Sequence, residues 1–93
     1  MNPLSTEEAR TRLATLPGWQ IESGGLVRTF QFKDFLASLH FVNQLADAAE
    51  KAGHHPDIDI RYNRVRLVLV THDAGGLTTK DFDLAAKASS LAG

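Results

Sequence analysis

Three of the four histidines in this 93-residue chain lie in two short segments on either side of a predicted β-hairpin. His54 and His55 belong to the run from Glu50 to Pro56 (EKAGHHP), which precedes the hairpin, and His72 follows it. Histidine has a reference pKa of ~6.5, so it exchanges protons at neutral pH and, when neutral, binds metal ions. If the hairpin brings the three side chains together, their chemistry is either acid–base catalysis or metal binding.

Metal binding is the less favoured of these two interpretations. A catalytic zinc ion takes three protein ligands at about 2 Å in a tetrahedral arrangement. Adjacent residues on an extended chain point in different directions, so His54 and His55 are poorly placed to bind one ion together. The chain also has no cysteine, which excludes thiolate ligands and disulfide bonds. We therefore expect acid–base chemistry and no bound metal.

The register of the predicted hairpin decides which histidines meet. With Asn63-Arg64 as a two-residue loop, continued pairing of the strands places His55 opposite His72, with β-carbons roughly 5 Å apart. A change of one residue in loop length would place His54 there instead. Pro56 restricts His55 to an extended conformation, so the adjacent histidines leave the chain in different directions. In either register, one of them is predicted to meet His72.

Charged residues near the histidines are candidates for holding them or a ligand. Glu50 lies one helical turn before the adjacent histidines and could set the tautomer of one imidazole; alternatively, it is a solvated helix residue. Lys80 and Asp81 begin the last predicted helix, a short loop after His72, and are expected to return to the same pocket. Asp81 also completes a capping box with Thr78, which would explain it without any function.

Two further residues carry side chains that bind ligands in other proteins. Trp19 is the only tryptophan, and it is either a ligand-binding residue or part of the core. His40 is isolated on the long predicted helix, and we interpret it as a structural or solvated residue.

Hydrophobic periodicity and turn residues predict three helices and four strands. Helices are expected at residues 5–16, 34–52 and from Thr78 onward, and strands at 19–22, 26–32, 57–62 and 65–69. Strands joined by tight turns pair antiparallel, and helices that are separated from the strands pack against one sheet. We therefore predict a single α+β domain over residues 1–93, in the order α-β-β-α-β-β-α. Its four-stranded antiparallel sheet would carry three helices on one face.

The long helix has a predicted buried stripe and a glycine at its end. The stripe consists of Phe35, Leu39, Val42, Leu45, Ala46 and Ala49. Gly53 is suited to the left-handed conformation that ends many helices. The sheet face away from the helices would carry Val68 and Val70, so a homodimer or a dimer of dimers is expected.

The composition is that of an ordinary globular protein. Hydrophobic residues make up 43% and charged residues 23% of the chain, and the formal net charge is −1. This balance argues against broad electrostatic binding to nucleic acid or to an anionic membrane. The first residues lack the pattern of a secretory signal, and no apolar stretch approaches the ~18 residues of a membrane span. We therefore expect a cytoplasmic protein with no direct nucleic-acid or membrane partner.

The candidate site residues also form an ordered pattern along the chain. The pattern consists of Glu50-x-x-x-His54-His55-Pro56, Tyr62, Thr71-His72 and Gly76-Leu77-Thr78-x-x-Asp81, preceded by Trp19 and Phe30-x-Phe32. It spans nearly the whole chain and is similar to the motif of the pterin-4a-carbinolamine dehydratases. The resemblance implies the fold predicted above and, as activity, dehydration of 4a-hydroxytetrahydropterin to quinonoid dihydropterin. That reaction recycles the pterin cofactor of aromatic amino acid hydroxylases, so a functional link to such an enzyme is implied.

The resemblance implies roles for individual residues, without a metal or a cofactor. His54 and His72 look like acids that reach the hydroxyl group on opposite faces of the pterin. His55 looks like a residue that binds the substrate and serves as a base. The residues implied to hold the histidines or the pterin are Glu50, Lys80, Asp81 and Trp19.

Two positions depart from the pattern of animal members of the family. Gly53 stands where these often carry Asp, and Lys80 where they often carry Arg, which leaves the contacts to the pterin open. Some animal members also serve as dimerisation cofactors of a transcription factor. The alternative function is therefore a non-catalytic pterin-binding or protein-interaction module on the same fold.

Overall fold

The chain folds in the order α-β-β-α-β-β-α, as predicted. The structure is a computed structural model and describes residues 2–93. Its elements are α1 (Thr6–Leu13), β1 (Gln20–Glu22), β2 (Gly25–Gln31), α2 (Phe35–Ala52), β3 (Asp57–Arg61), β4 (Arg64–Leu69), a short 3₁₀ helix (His72–Ala74) and α3 (Thr79–Ala92). Helix α1 ends at Leu13 and not at the predicted Leu16, because the chain tightens there into i→i+3 hydrogen bonds, such as Leu16 N to Leu13 O.

The four strands form one antiparallel sheet in the order β1-β2-β4-β3. On its inner face, Leu26 and Phe30 of β2 pair with Leu69 and Val65 of β4. All four residues are at most 4% exposed. The helices complete the core with Ala9, Phe41, Leu45, Ala49, Phe82, Leu84, Ala85 and Ala88. The predicted α+β fold is confirmed, and within residues 2–93 no helix covers the other face of the sheet.

The register of the β3–β4 hairpin differs from the predicted one. Ile58 pairs with Leu67 and Arg61 with Arg64, so the two loop residues are Tyr62 and Asn63. The predicted loop at 63–64 is therefore wrong, and so is the predicted pairing of His55 with His72. Tyr62 takes the left-handed conformation that the tight turn needs, with φ of 53°. Contacts far along the chain hold this turn in place: the side-chain amide and backbone oxygen of Asn63 both bond the backbone of Phe32, at 2.9 and 2.8 Å.

The side of α2 that faces the core also differs from the predicted one. The buried residues are Ser38, Phe41, Leu45 and Ala49, so the predicted stripe is correct only at Leu45 and Ala49. The Phe41 ring lies 4.9 and 5.0 Å from two phenylalanine rings at the end of β2, and this aromatic cluster sets the rotation of the helix. Of the other predicted residues, Val42 is half-buried and packs against the core, whereas Phe35, Leu39 and Ala46 form a half-buried to exposed outer strip. Like the other helices within residues 2–93, α2 lacks the apolar length needed to cross a membrane.

Candidate active site

His54 is held at the junction between α2 and β3. Gly53 ends α2 in the left-handed conformation, with φ of 62°, as predicted. The His54 amide then donates to the Ala49 carbonyl oxygen at 3.1 Å. This turn directs the imidazole inward, where 10% of the side chain is exposed and Nε2 lies 2.6 Å from Oδ1 of Asp81. The end of one helix is thereby joined to the beginning of another.

A chain of hydrogen bonds surrounds the carboxylate of Asp81, which is fully buried. Its Oδ2 accepts from the Thr78 amide and from the Thr71 hydroxyl, both at 2.9 Å. The two threonine hydroxyls lie 2.8 Å apart. Because Thr71 has one hydroxyl proton and gives it to Asp81, the Thr78 hydroxyl donates to Thr71. With Oδ2 occupied, Oδ1 accepts from the Nε2–H of His54.

This arrangement makes Nδ1 the nitrogen of His54 that is available to a ligand. Within residues 2–93, Nδ1 has no hydrogen-bond partner. No buried side-chain nitrogen or oxygen in this part of the chain lacks a partner, so Nδ1 must reach the surface. When His54 is protonated, Nε2–H stays bonded to Asp81 and Nδ1–H can be donated to a bound molecule. The geometry is that of an oriented acid.

His55 and Glu50 form a pair on the surface. The Nε2 atom of His55 contacts the Glu50 carboxylate, and the two side chains are 59% and 76% exposed. Glu50 therefore bonds His55, the exposed member of the two adjacent imidazoles. Water screens such a pair, so it contributes little to stability. Its effect is to orient the His55 ring at the edge of the site.

All three histidines line one open pocket of about 240 Å³, together with Lys80. His72 is exposed and is the first residue of the 3₁₀ helix. An isolated bridge between Thr71 and Gly76 folds the segment after β4 back on itself and positions this histidine. The three side chains therefore share a pocket, although not through the strand pairing that the sequence predicted.

Trp19 lies away from this pocket, in the core. It is 4% exposed, its ring packs edge-on against Phe30, and its Nε1 donates to Ser89 Oγ at 2.8 Å. Of the two interpretations of Trp19 from the sequence, a ligand-binding residue or a part of the core, the structure shows the second. Conversely, sequence reasoning did not single out the Thr71 hydroxyl as a partner of Asp81. The one signal for it was its position next to His72.

The prediction that the protein needs no metal is open to direct measurement. Within residues 2–93, no three histidine, cysteine, aspartate or glutamate side chains are arranged around a common metal position. We expect extensively dialysed protein to contain no stoichiometric zinc, and we expect the dehydration that the sequence motif implies to proceed in the presence of a chelator. Elemental analysis checks the first expectation, and a dehydration assay with chelator checks the second. One tightly held zinc ion per chain would contradict the acid–base interpretation.

Proteins of known sequence match this chain over its whole length. A protein of Acidobacterium capsulatum named "Putative pterin-4-alpha-carbinolamine dehydratase" is 56% identical over 91 residues, which cover 98% of this chain and 99% of that protein. A protein of Chloroflexus aurantiacus with the same name is 56% identical over 93 residues and covers both chains completely.

Solved structures show the same fold. The crystal structure of a transcriptional coactivator/pterin dehydratase from Brucella melitensis matches with a TM-score of 0.96 at 39% identity, covering 99% of this chain and 100% of that one. A pterin dehydratase-like protein described as a RuBisCO assembly factor in the alpha-carboxysome matches with a TM-score of 0.67 at 26% identity, covering 81% and 87%. The family model described as pterin 4 alpha carbinolamine dehydratase matches residues 2–91. This chain, with its histidine pocket, belongs to the pterin-4a-carbinolamine dehydratase family.

Proposed function

We propose that this protein removes water from 4a-hydroxytetrahydropterin to give quinonoid dihydropterin. In this reaction the C4a–O bond breaks, the hydroxyl group leaves as water after it is protonated, and a ring nitrogen loses a proton. The step needs an acid at the hydroxyl and a base at the nitrogen, and it transfers no electrons to an acceptor. The observation that supports the proposal best is the pocket where His54, bonded to the buried Asp81, lies with His55 and His72.

The three histidines divide the proton transfers among them. Nδ1 of His54 protonates a hydroxyl on one face of the pterin, and His72 protonates a hydroxyl on the other face. His55, oriented by Glu50, binds the ring and accepts the nitrogen proton. This division rests on the family pattern and on the position of each ring in the pocket.

The remaining candidate residues act in different ways. Asp81 is fully buried and both its oxygens accept hydrogen bonds from the protein, so we assign it as a positioning residue that acts through His54. Lys80 lines the pocket and is assigned to substrate binding. Trp19 lies in the core and is not part of the proposed site.

The proposal is tested with an aromatic amino acid hydroxylase, whose reaction generates the 4a-hydroxy compound. Added protein should accelerate loss of this intermediate above the rate in buffer, measured by ultraviolet absorbance. The matched control is a variant in which His54, His55 and His72 are all replaced by alanine, with its fold checked by circular dichroism. A rate equal to that in buffer, from folded unmodified protein, would contradict the proposal. The same assay tests the expected functional link to an aromatic amino acid hydroxylase. The location of the protein in the cytoplasm stays a prediction.

A non-catalytic interaction module is the second candidate function. It is favoured by the two similar proteins of known structure, one described as a transcriptional coactivator/pterin dehydratase and the other as a RuBisCO assembly factor. A module of this kind binds its partner through the sheet face or a helix, so His72→Ala would leave that binding intact. Such a module would not catalyse dehydration, with or without His72. The hydroxylase assay separates the two candidates.

We also propose that the protein is a homodimer or a dimer of dimers. Two apolar surfaces lack a covering element within residues 2–93: the outer strip of α2 and the open face of the sheet around Val68 and Val70. Apolar surfaces of this kind are typical of contacts between subunits. Light scattering at micromolar concentration should give at least twice the mass of one chain. A monomer at that concentration would contradict the proposal.

A further inference from the structure

A second hollow adjoins the histidine pocket, in the groove between α2 and α3. It has a volume of about 470 Å³ and shares His54 and Lys80 with that pocket as lining residues. Its other charged lining residues are Lys51, Lys87 and Asp83. The two spaces are therefore neighbours that share a wall formed by His54 and Lys80, and we call the second one the lysine groove.

Helical spacing explains why the charges of the lysine groove lie together. Lys80, Asp83 and Lys87 follow one another at three and four residues on α3, so they lie along one side of that helix. Lys51 lies in the last turn of α2, on the opposite wall. Three lysines and one aspartate thus line this groove, in a chain whose formal net charge is −1, so the groove is a local concentration of positive charge.

Few neighbouring groups neutralise these lysines. Lys51 pairs with Asp47 at 3.1 Å, but the two side chains are 77% and 70% exposed, and an exposed pair of this kind is weak. Within residues 2–93, Lys80 and Lys87 form no ion pair with a carboxylate. The helix dipoles place a partial positive charge at the start of α3 and a partial negative charge at the end of α2, so at the groove these two contributions oppose each other. The lysines therefore decide the sign of the field, and the groove attracts anions.

We propose that the lysine groove binds an anionic group, phosphate or carboxylate, on the side chain of the compound whose ring lies in the histidine pocket. The identity of the ring rests on the proposed function, whereas the anion site rests on the groove itself. The substrate class is then a reduced pterin whose side chain ends in phosphate or carboxylate groups. Lys80, which lines both spaces, lies where the ring and the side chain join.

Binding of three dihydropterins with the same ring tests this proposal by calorimetry. One carries a neutral hydroxylated side chain, one carries a phosphate ester on that side chain, and one carries a glutamate-terminated side chain. In low salt, at least one anionic compound should bind about tenfold more tightly than the neutral one, and added salt should reduce the difference. The tighter of the two anionic compounds identifies phosphate or carboxylate as the preferred group.

Single variants show whether the preference comes from the groove. Lys51→Gln and Lys87→Gln should each reduce the difference in affinity between the anionic and the neutral compound. Lys33 is exposed between β2 and α2 and does not line the groove. Lys33→Gln therefore removes the same charge elsewhere and should keep the difference. Equal affinities for all three compounds in the unmodified protein, or a preference that persists in both groove variants, would overturn the proposal.

A titration with inorganic phosphate separates this inference from the proposed function. Nuclear magnetic resonance should show phosphate-dependent shifts of the Lys51 and Lys87 amides, with smaller shifts in Lys87→Gln. If phosphate binds there and no dihydropterin binds at all, the anion site stands and the proposed substrate ring is wrong. If dihydropterins bind without regard to charge and phosphate shifts neither amide, the site is wrong and the proposed function is unaffected.

Discussion

Replacing His54 with alanine should slow dehydration of one C4a epimer of the substrate by about 10²–10⁴-fold, the usual cost of losing one positioned acid. The other epimer should be much less affected, because its hydroxyl group lies on the face served by His72. His72→Ala should show the reverse preference. His55→Ala should slow both epimers, since binding the ring and accepting the nitrogen proton are common to them. Steady-state rates on the separated epimers measure these effects.

The control for these variants is His40→Ala, because His40 is exposed on α2 and does not line the pocket. It should react with both epimers at normal rates. Equal losses for both epimers in His54→Ala and in His72→Ala would show that the two histidines act as one relay. In that case the assignment of one acid to each face of the pterin would be wrong.

Asp81→Asn should lower kcat by about 10²-fold for the epimer that His54 serves, with little change in KM. An asparagine has the size of the aspartate, but it replaces one carboxylate oxygen by an NH₂ group that cannot accept a hydrogen bond. If the amide oxygen keeps the bonds from Thr71 and Thr78, the NH₂ group faces Nε2 of His54. Neutral His54 can then accept from it only as the tautomer with its proton on Nδ1, and protonated His54 has no acceptor for its Nε2–H. The rate should fall because the protonated acid is disfavoured, although no contact to substrate is removed.

The same substitution should also destabilise the fold by about 1–3 kcal/mol, since hydrogen bonds to a buried charged carboxylate are replaced by weaker bonds to a neutral amide. Thermal and urea unfolding measure this loss. Glu50→Gln is the matched comparison: it makes the same chemical change in the exposed pair with His55, where water replaces the lost bond, so its effect on stability should be small. If Asp81→Asn slowed both epimers equally, or raised KM alone, Asp81 would not act through His54.

Features that depend on neighbours within about one helical turn were determined by the sequence alone. Thr78 and Asp81 form the predicted capping box of α3. Gly53 ends α2 because a residue without a β-carbon enters the left-handed region at little cost. The order of the elements follows from the same kind of information, since periodicity and turn residues are read over short windows. These expectations required no knowledge of which elements pack together.

Features that depend on distant packing were decided only by the tertiary structure. The β3–β4 register is held by Asn63, which bonds Phe32 31 residues away, and the rotation of α2 follows from the aromatic cluster around Phe41. The partner of His54 lies 27 residues along the chain, at Asp81. From the sequence, a helix cap and a residue of the histidine pocket were alternative roles for this carboxylate. In the folded chain, Oδ2 of Asp81 caps α3 and Oδ1 bonds His54. Both oxygens need protein partners because the buried carboxylate has no water to bond.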